Sequence, residues 1–183
     1  MKVDVEYLEF LWPLRTYLIT CGDIASKANI IAVSFCMPAA GQPPQLVCAI
    51  GKPFYSHELI DRTGEFIVNV PPQSLKKEVY YCGSHSGRQV NKFAETGLTP
   101  LAAKRVKAPI IAECVAHMEC IVVGKLDTKP YDGEDIRPNI ANKTLFLGEV
   151  VEAYADEDYA LGKAKDFLFL REGSFCNHYK LRQ

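Results

Sequence analysis

IIAECVAHMECIVVGKLD (residues 110–127) and TLFLGEVVEAYAD (144–156) are the two longest β-type runs of the chain, dense in β-branched and aromatic residues. The segment between them, KPYDGEDIRPNIANK (129–143), is polar and carries glycine and proline, so it reads as an exposed loop joining two strands. Working outward, RTYLIT (15–20) and NIIAVSFCM (29–37) are two more strands. Residues 21–27 form the connection between them, with Gly22, Asp23 and Ser26 as turn formers. A third strand at Leu46–Ile50 follows the stiff GQPP loop, because Pro43 and Pro44 cannot donate within a central ladder. FIVNV (66–70) is a further strand, closed by Pro71 and Pro72.

Helical patterns are short and confined to the middle of the chain. SHELIDRTG places Ser56 as the N-cap and Gly64 at the C-terminal end of one helix. Residues 73–81 put Leu75 and Val79 four apart on a second, and VNKFAETG ends a third at Gly97. No βαβ unit repeats. The pattern therefore predicts a mainly β fold with helical insertions, an antiparallel barrel rather than a doubly wound sheet. Closure hides sheet edges and leaves the rim loops as ligand sites.

The 183 residues fit one domain spanning 1–183. Apolar residues make up 48%, and 21 basic against 22 acidic side chains leave a net charge of −1, which argues against a polyanion-binding surface. Nucleic acid is not an expected partner. No apolar run approaches the roughly 20 residues that span a bilayer, and MKVDVEYLEF mixes acids into its hydrophobics, so neither membrane anchor nor signal peptide is expected. Seven cysteines at 21, 36, 48, 82, 114, 120 and 176 are odd in number and scattered, which suits reduced thiols in the cytoplasm.

Three chemistries compete for the polar residues. Cys114, His117 and Cys120 have the spacing of zinc ligands in a loop or helix. On a strand, however, alternation turns the two cysteines to one side and the histidine to the other, and Cys82 with His85 supplies only half a site. The expectation is no metal. No G-x-S-x-G elbow, G-x-G-x-x-G turn or P-loop is present, so no catalytic nucleophile is assigned. The third is anion binding at YYCGSHSGRQVNKF (80–93). Gly83 and Gly87 allow close backbone approach, the serines are neutral donors, and a helix starting at Arg88 would put Arg88 and Lys92 on one face. A phosphate cradle and a merely solvated basic helix both satisfy that pattern. In NIIAVSFC (29–36), Ile30, Ala32 and Ser34 form a small face opposite Ile31, Val33 and Phe35. A flat aromatic ligand could lie there, although the same alternation is how a barrel interior packs.

Taken in order, RTYLIT, NIIAVSFCMP, PPQLVCAIGKPFYSHELI, TGEFIVNVP, YYCGSHSGRQVNKFAETGLTP, APIIAECVAHMEC and TLFLGEVVEAY resemble the flavin reductase-like family of FMN-binding split-barrel proteins, its flavoredoxin-type branch in particular, over Leu14–Tyr154. The resemblance implies a six-stranded antiparallel Greek-key split barrel, a homodimer, and non-covalent FMN. It also implies activity as an NAD(P)H-dependent flavin reductase or as an electron carrier, with NADH, NADPH or a ferredoxin-type protein as redox partner. A non-enzymatic flavin store or sensor is the alternative. The positions it marks are Asn29, Ser34, Phe35 and Cys36 beside the ring and ribityl chain, with Ser56, Ser86, Arg88 and Lys92 on the polar and phosphate side. Three departures stand out: Phe35 where relatives often carry Trp, Asn91 where Asp is usual, and the first turn GDIASKA.

Overall fold

Strands dominate the computed structural model, which describes residues 3, 7–11, 13–129, 142–162 and 169–170. In chain order they are β1 (Leu14–Arg15), β2 (Tyr17–Asp23), β3 (Lys27–Val33), β4 (Cys36–Gly41), β5 (Pro44–Gly51), β6 (Glu65–Val70), β7 (Pro100–Leu101), β8 (Ile110–Ile111), β9 (Ala116–Asp127), β10 (Lys143–Ala155) and β11 (Phe169–Leu170). The helices that position the site are α1 (Tyr55–Thr63), α2 (Lys76–Ser84) and α3 (Lys92–Thr96). Among the described residues, no helix is long and apolar enough to cross a membrane.

The main sheet is antiparallel in the order β3-β2-β6-β9-β10-β5-β4. It curls until its ends approach: β3 lies against β5, and the Ala49 amide donates to the Phe35 carbonyl at 2.9 Å. The mainly β class with helical insertions holds, and the main sheet has seven strands where six were expected. The added strand is β4. Residues 29–37 are not one strand, because the chain leaves β3 at Val33, breaks at Ser34–Phe35 and returns as an edge strand. Pro38 is tolerated there because an edge strand has an unpaired side. The run from 110 is likewise divided, into β8 and β9 with a turn over 112–115.

Strand alternation sorts the apolar residues into two layers. Ile19, Ile31, Val33, Phe66, Cys120 and Phe146 fill the barrel interior, which α1 closes with Leu59 and Ile60. Gly148 of β10 belongs to this interior: a Cβ there would stand 2.6 Å from Cζ of the buried Phe66 ring. On the outer side, Leu18 and Ile30 pack against Val79 and Cys82 of α2, Phe93 of α3, and Ile111 and Cys114. The small face of β3, with Ile30 and Ala32, is therefore covered by α2 and α3 and is not a shelf for a flat ligand.

Helix α1 has Phe54 at its N-cap and Gly64, at φ 70°, as its left-handed C-cap. Ser56 was expected as the cap but is buried one residue inside the helix, where its hydroxyl points into the fold. Helix α3 starts at Lys92 behind an Asn91 cap that accepts from the Ala94 amide, so Arg88 lies in the preceding turn and does not share a helical face with Lys92.

A buried carboxylate fastens the loop before β8. Glu119 of β9 is wholly excluded from solvent and accepts from the Lys104, Arg105 and Val106 amides and from the Tyr154 hydroxyl. Burial alone would raise its pKa, but these donors outweigh it and hold the group below the ordinary glutamate value of 4.5. A depressed folded-state pKa contributes stability that is fully present above the unfolded value and is lost as pH falls through the folded one. Glu119→Gln is therefore expected to cost about 2 kcal/mol near neutrality. In urea unfolding, the gap between the two proteins should narrow progressively below pH 4.5. A gap that stays constant down to strongly acid pH would assign the loss to shape rather than charge.

Candidate functional site

The residues from 80 to 93 fold as the end of α2, a turn over 87–89 and the start of α3, and the turn passes across the beginning of β3. Its closeness is visible at Gly87, where a Cβ would stand 2.0 Å from Oδ1 of Asn29. Any side chain at 87 would have to push the buried Asn29 amide aside. Asn29 Nδ2 in turn donates to Ser56 Oγ at 2.8 Å, joining β3 to α1.

These three segments enclose a cleft of about 270 Å³. Asn29 and Ile31 of β3, residues 53–55 before and at the start of α1, and residues 82–87 line it, with Lys92 at its base. Lys92 is 4% exposed, and its ammonium donates to the Ile30 carbonyl and the Cys82 carbonyl, both at 2.7 Å. Burial lowers its pKa, with the nearby Cys82 and Cys21 thiols acting in the opposite sense.

The mouth of the cleft is cationic. Lys27 Nζ lies 4.8 Å and Arg88 Cζ 5.0 Å from the centre of the Tyr55 ring, so one aromatic face system holds two cations beside the opening. Arg88 also pairs with Glu58 at 2.6 Å, and its guanidinium holds that carboxylate's pKa below the usual range. Both side chains are about half exposed, so this ion pair is weak and a ligand phosphate can displace Glu58 from it. The Ser86 hydroxyl accepts from the Arg88 amide at 3.3 Å and shapes the turn.

Of the eight positions marked by the sequence, Asn29, Ser86 and Lys92 line the cleft, Ser56 sits directly behind Asn29, and Arg88 stands at the rim. Ser34, Phe35 and Cys36 lie at the other end of β3, roughly 16 Å away at a strand rise of 3.3 Å per residue. There Ser34 Oγ meets Thr16 Oγ1 at 2.7 Å, the half-exposed Phe35 ring has Lys143 Nζ 5.4 Å from its centre, and Cys36 Sγ is 2.9 Å from Cys48 Sγ. Tyr55 and Lys27 were missed. Tyr55 stands beside the marked Ser56, and Lys27 belongs to the first turn already noted as unusual, but neither position signals a cation–aromatic contact until α1 is folded against β3.

The metal candidates are separated by the same packing. β9 begins only at Ala116, so its alternation does not reach Cys114, which packs in the outer layer while Cys120 packs inside the barrel. His117 Nδ1 is bonded to Asn69 Oδ1 at 2.9 Å. Cys82 is buried on the inner face of α2, whereas His85 is exposed and stacked on Tyr81 with ring centres 3.9 Å apart.

Comparison with known proteins identifies the lineage of this arrangement. The model of the flavin reductase like domain matches residues 12–177, and the chain belongs to that family. A protein of Archaeoglobus fulgidus described as uncharacterized is 36% identical over 176 residues, covering 96% of this chain and 92% of its own. Among solved structures, flavoredoxin from Methanosarcina acetivorans superposes with a TM-score of 0.73 at 29% identity, covering 87% of this chain and 77% of the other. Flavoredoxin of Desulfovibrio vulgaris (Miyazaki F) gives 0.72 at 26%, covering 86% and 78%.

The contact between Gly87 and Asn29 is testable without any ligand. Gly87→Ala should destabilise the protein by about 1–3 kcal/mol, the range for overpacking a tight contact. The same substitution on an Asn29→Ala background should cost much less, because the atom it strikes is gone. A double-mutant cycle in urea that shows simple additivity would mean the turn does not bear on Asn29.

Proposed function

We propose that the protein is an FMN-binding flavoprotein that works either as an NAD(P)H-dependent flavin reductase or as a flavoredoxin-like electron carrier. The observation that carries this reading is the cleft with its cationic rim at one end of β3. The donor set suits the phosphate end of FMN: a dianion needs several charge-assisted donors, and Arg88, Lys27 and the Ser86 hydroxyl stand at or near the opening. A volume of about 270 Å³ lies just under the range of pockets that bury a whole drug-sized ligand, so it suits one end of FMN, and the donors favour the phosphate and ribityl end. That assigns Asn29, Ser56, Ser86, Arg88 and Lys92 to the phosphate and ribityl side, with Ser34, Phe35 and Cys36 toward the ring. FMN supplies the hydride-accepting and electron-transferring chemistry when bound.

The protein groups orient and tune. Arg88 exchanges an exposed carboxylate partner for the phosphate. Lys92 acts from below, because two of its three donors hold the cleft's own walls and its charge remains beneath the anion. Phe35 offers an exposed aromatic face at the opposite end.

Membership in the family and the two flavoredoxin structures support the electron-carrier form. A Streptomyces globisporus protein named NADH-dependent FAD reductase, 27% identical over 143 residues, supports the reductase form. A homodimer belongs to the same proposal: Met37 on β4 and Ile121, Val123 and Leu126 on β9 are large apolar side chains left exposed, as an interface between copies would require.

Two measurements test the reading. Arg88→Ala should weaken FMN binding by about 1–3 kcal/mol while leaving riboflavin binding nearly unchanged, since only FMN carries the phosphate. Equal losses for both flavins, or none, would remove Arg88 from the phosphate site. In stopped-flow mixing of the FMN-loaded protein, bleaching of the flavin band by NADH or NADPH supports the reductase. Reduction by a ferredoxin-type protein alone supports the carrier, and no reduction by either leaves a flavin store or sensor as the surviving form.

A further inference from the structure

We propose that Cys36 and Cys48 form a reversible dithiol–disulfide site that is oxidised by small-molecule disulfides. The two residues are direct cross-strand partners in the β4/β5 ladder. The bond from the Ala49 amide to the Phe35 carbonyl makes 35/49 a hydrogen-bonded pair, so the adjacent 36/48 pair is of the non-hydrogen-bonded kind. At such positions Cα atoms stand about 4.5 Å apart, inside the 4.4–6.8 Å that disulfides use. The sulfurs are already 2.9 Å apart. No strand has to move for the bond to close.

The two thiols differ in access, and that orders the reaction. Cys36 is half-buried on the edge strand and meets a reagent first, whereas Cys48 is 1% exposed and resolves. Burial, reinforced by Cys36, pushes the Cys48 thiol up, which keeps it protonated until its neighbour is modified. The Cys36 thiolate attacks one sulfur of the small disulfide and releases one small thiolate, which takes up the proton Cys36 gave away. The Cys48 sulfur then displaces the second small thiolate from the mixed disulfide and gives up its own proton to it. Two protein S–H bonds and one small-molecule S–S bond become one protein S–S bond and two small thiols, and two electrons leave the protein. Excess thiol reverses each step.

Among the described residues, the other free cysteines are Cys21, Cys82, Cys114 and Cys120, all buried and none hydrogen-bonded to another thiol. The pair is therefore singled out by position rather than by the number of cysteines. Cys36 is also one of the positions proposed to lie toward the flavin ring, but the pair's geometry requires no flavin and the test reads a sulfur–sulfur bond, so either proposal can fail without the other. Closing it would pin the edge strand β4 to β5 directly after Phe35.

The test uses the full chain, incubated with glutathione disulfide and then unfolded and alkylated. No lysine or arginine lies between 28 and 51, and Lys52 is followed by Pro53, so trypsin releases both cysteines on one peptide, 28–62. That peptide should be recovered unalkylated and lighter by two hydrogens, and doubly alkylated after dithiothreitol. Cys48→Ser should instead retain glutathione on Cys36, since nothing is left to resolve the mixed disulfide. Recovery of 28–62 doubly alkylated after oxidation would overturn the proposal. So would a cross-link from either cysteine to a different one, including Cys176, which lies outside the described residues.

Discussion

One ammonium group holds together the walls of the candidate cleft. Lys92 satisfies two acceptors that neither of their own elements can serve: the Ile30 carbonyl of β3, a strand that ends the ladder order, and the Cys82 carbonyl in the last turn of α2. Orphan carbonyls at a sheet edge and a helix end are each costly if buried unpaired. A single long side chain with three donors removes both costs and welds the two elements together. The rest of the cleft follows from that weld. With the end of α2 fixed over β3, the turn that carries Ser86, Gly87 and Arg88 has to pass across Asn29, and Asn29 has to face Ser56.

The same economy recurs away from the cleft. Asn69 on β6 donates to the Leu18 carbonyl and the Thr20 hydroxyl and accepts from the Ile111 amide and His117, while Glu119 does the equivalent work for residues 104–106. Loops that have no ladder of their own are fastened to the sheet by buried side chains, which satisfy their amides as a neighbouring strand would. A barrel built in this way has rigid rims.

The two ends of β3 carry different chemistry. At its start the cleft gathers positive charge around Tyr55, with Lys92 neutralising carbonyls underneath. At its far end an exposed aromatic ring adjoins a thiol pair on β4 and β5. The FMN proposed above would set its phosphate against the first arrangement and its ring toward the second. The sulfur pair arises from the register of β4 on β5.

Most strands were legible in the sequence because alternation and β-branched runs are local properties: β2, β5, β6 and β10 fall within a few residues of the expected bounds. Gly64 and Gly97 ended their helices as read, because a left-handed cap depends on a single residue. The break at Ser34–Phe35 and the turn at 112–115 were not legible, since apolar character continues through both and only pairing with β5 and the docking of residues 112–115 interrupt the strands. The membership of the cleft was largely determined by the residues of 80–93 and by Asn29. Their roles were not. Whether Lys92 meets a ligand or a carbonyl, whether Ser56 caps a helix or backs an asparagine, and which cysteine faces which all depend on contacts between segments 10 to 62 residues apart. Local pattern says what a residue is able to do, and only the folded chain, by bringing distant acceptors and thiols within reach, selects which of those capacities is used.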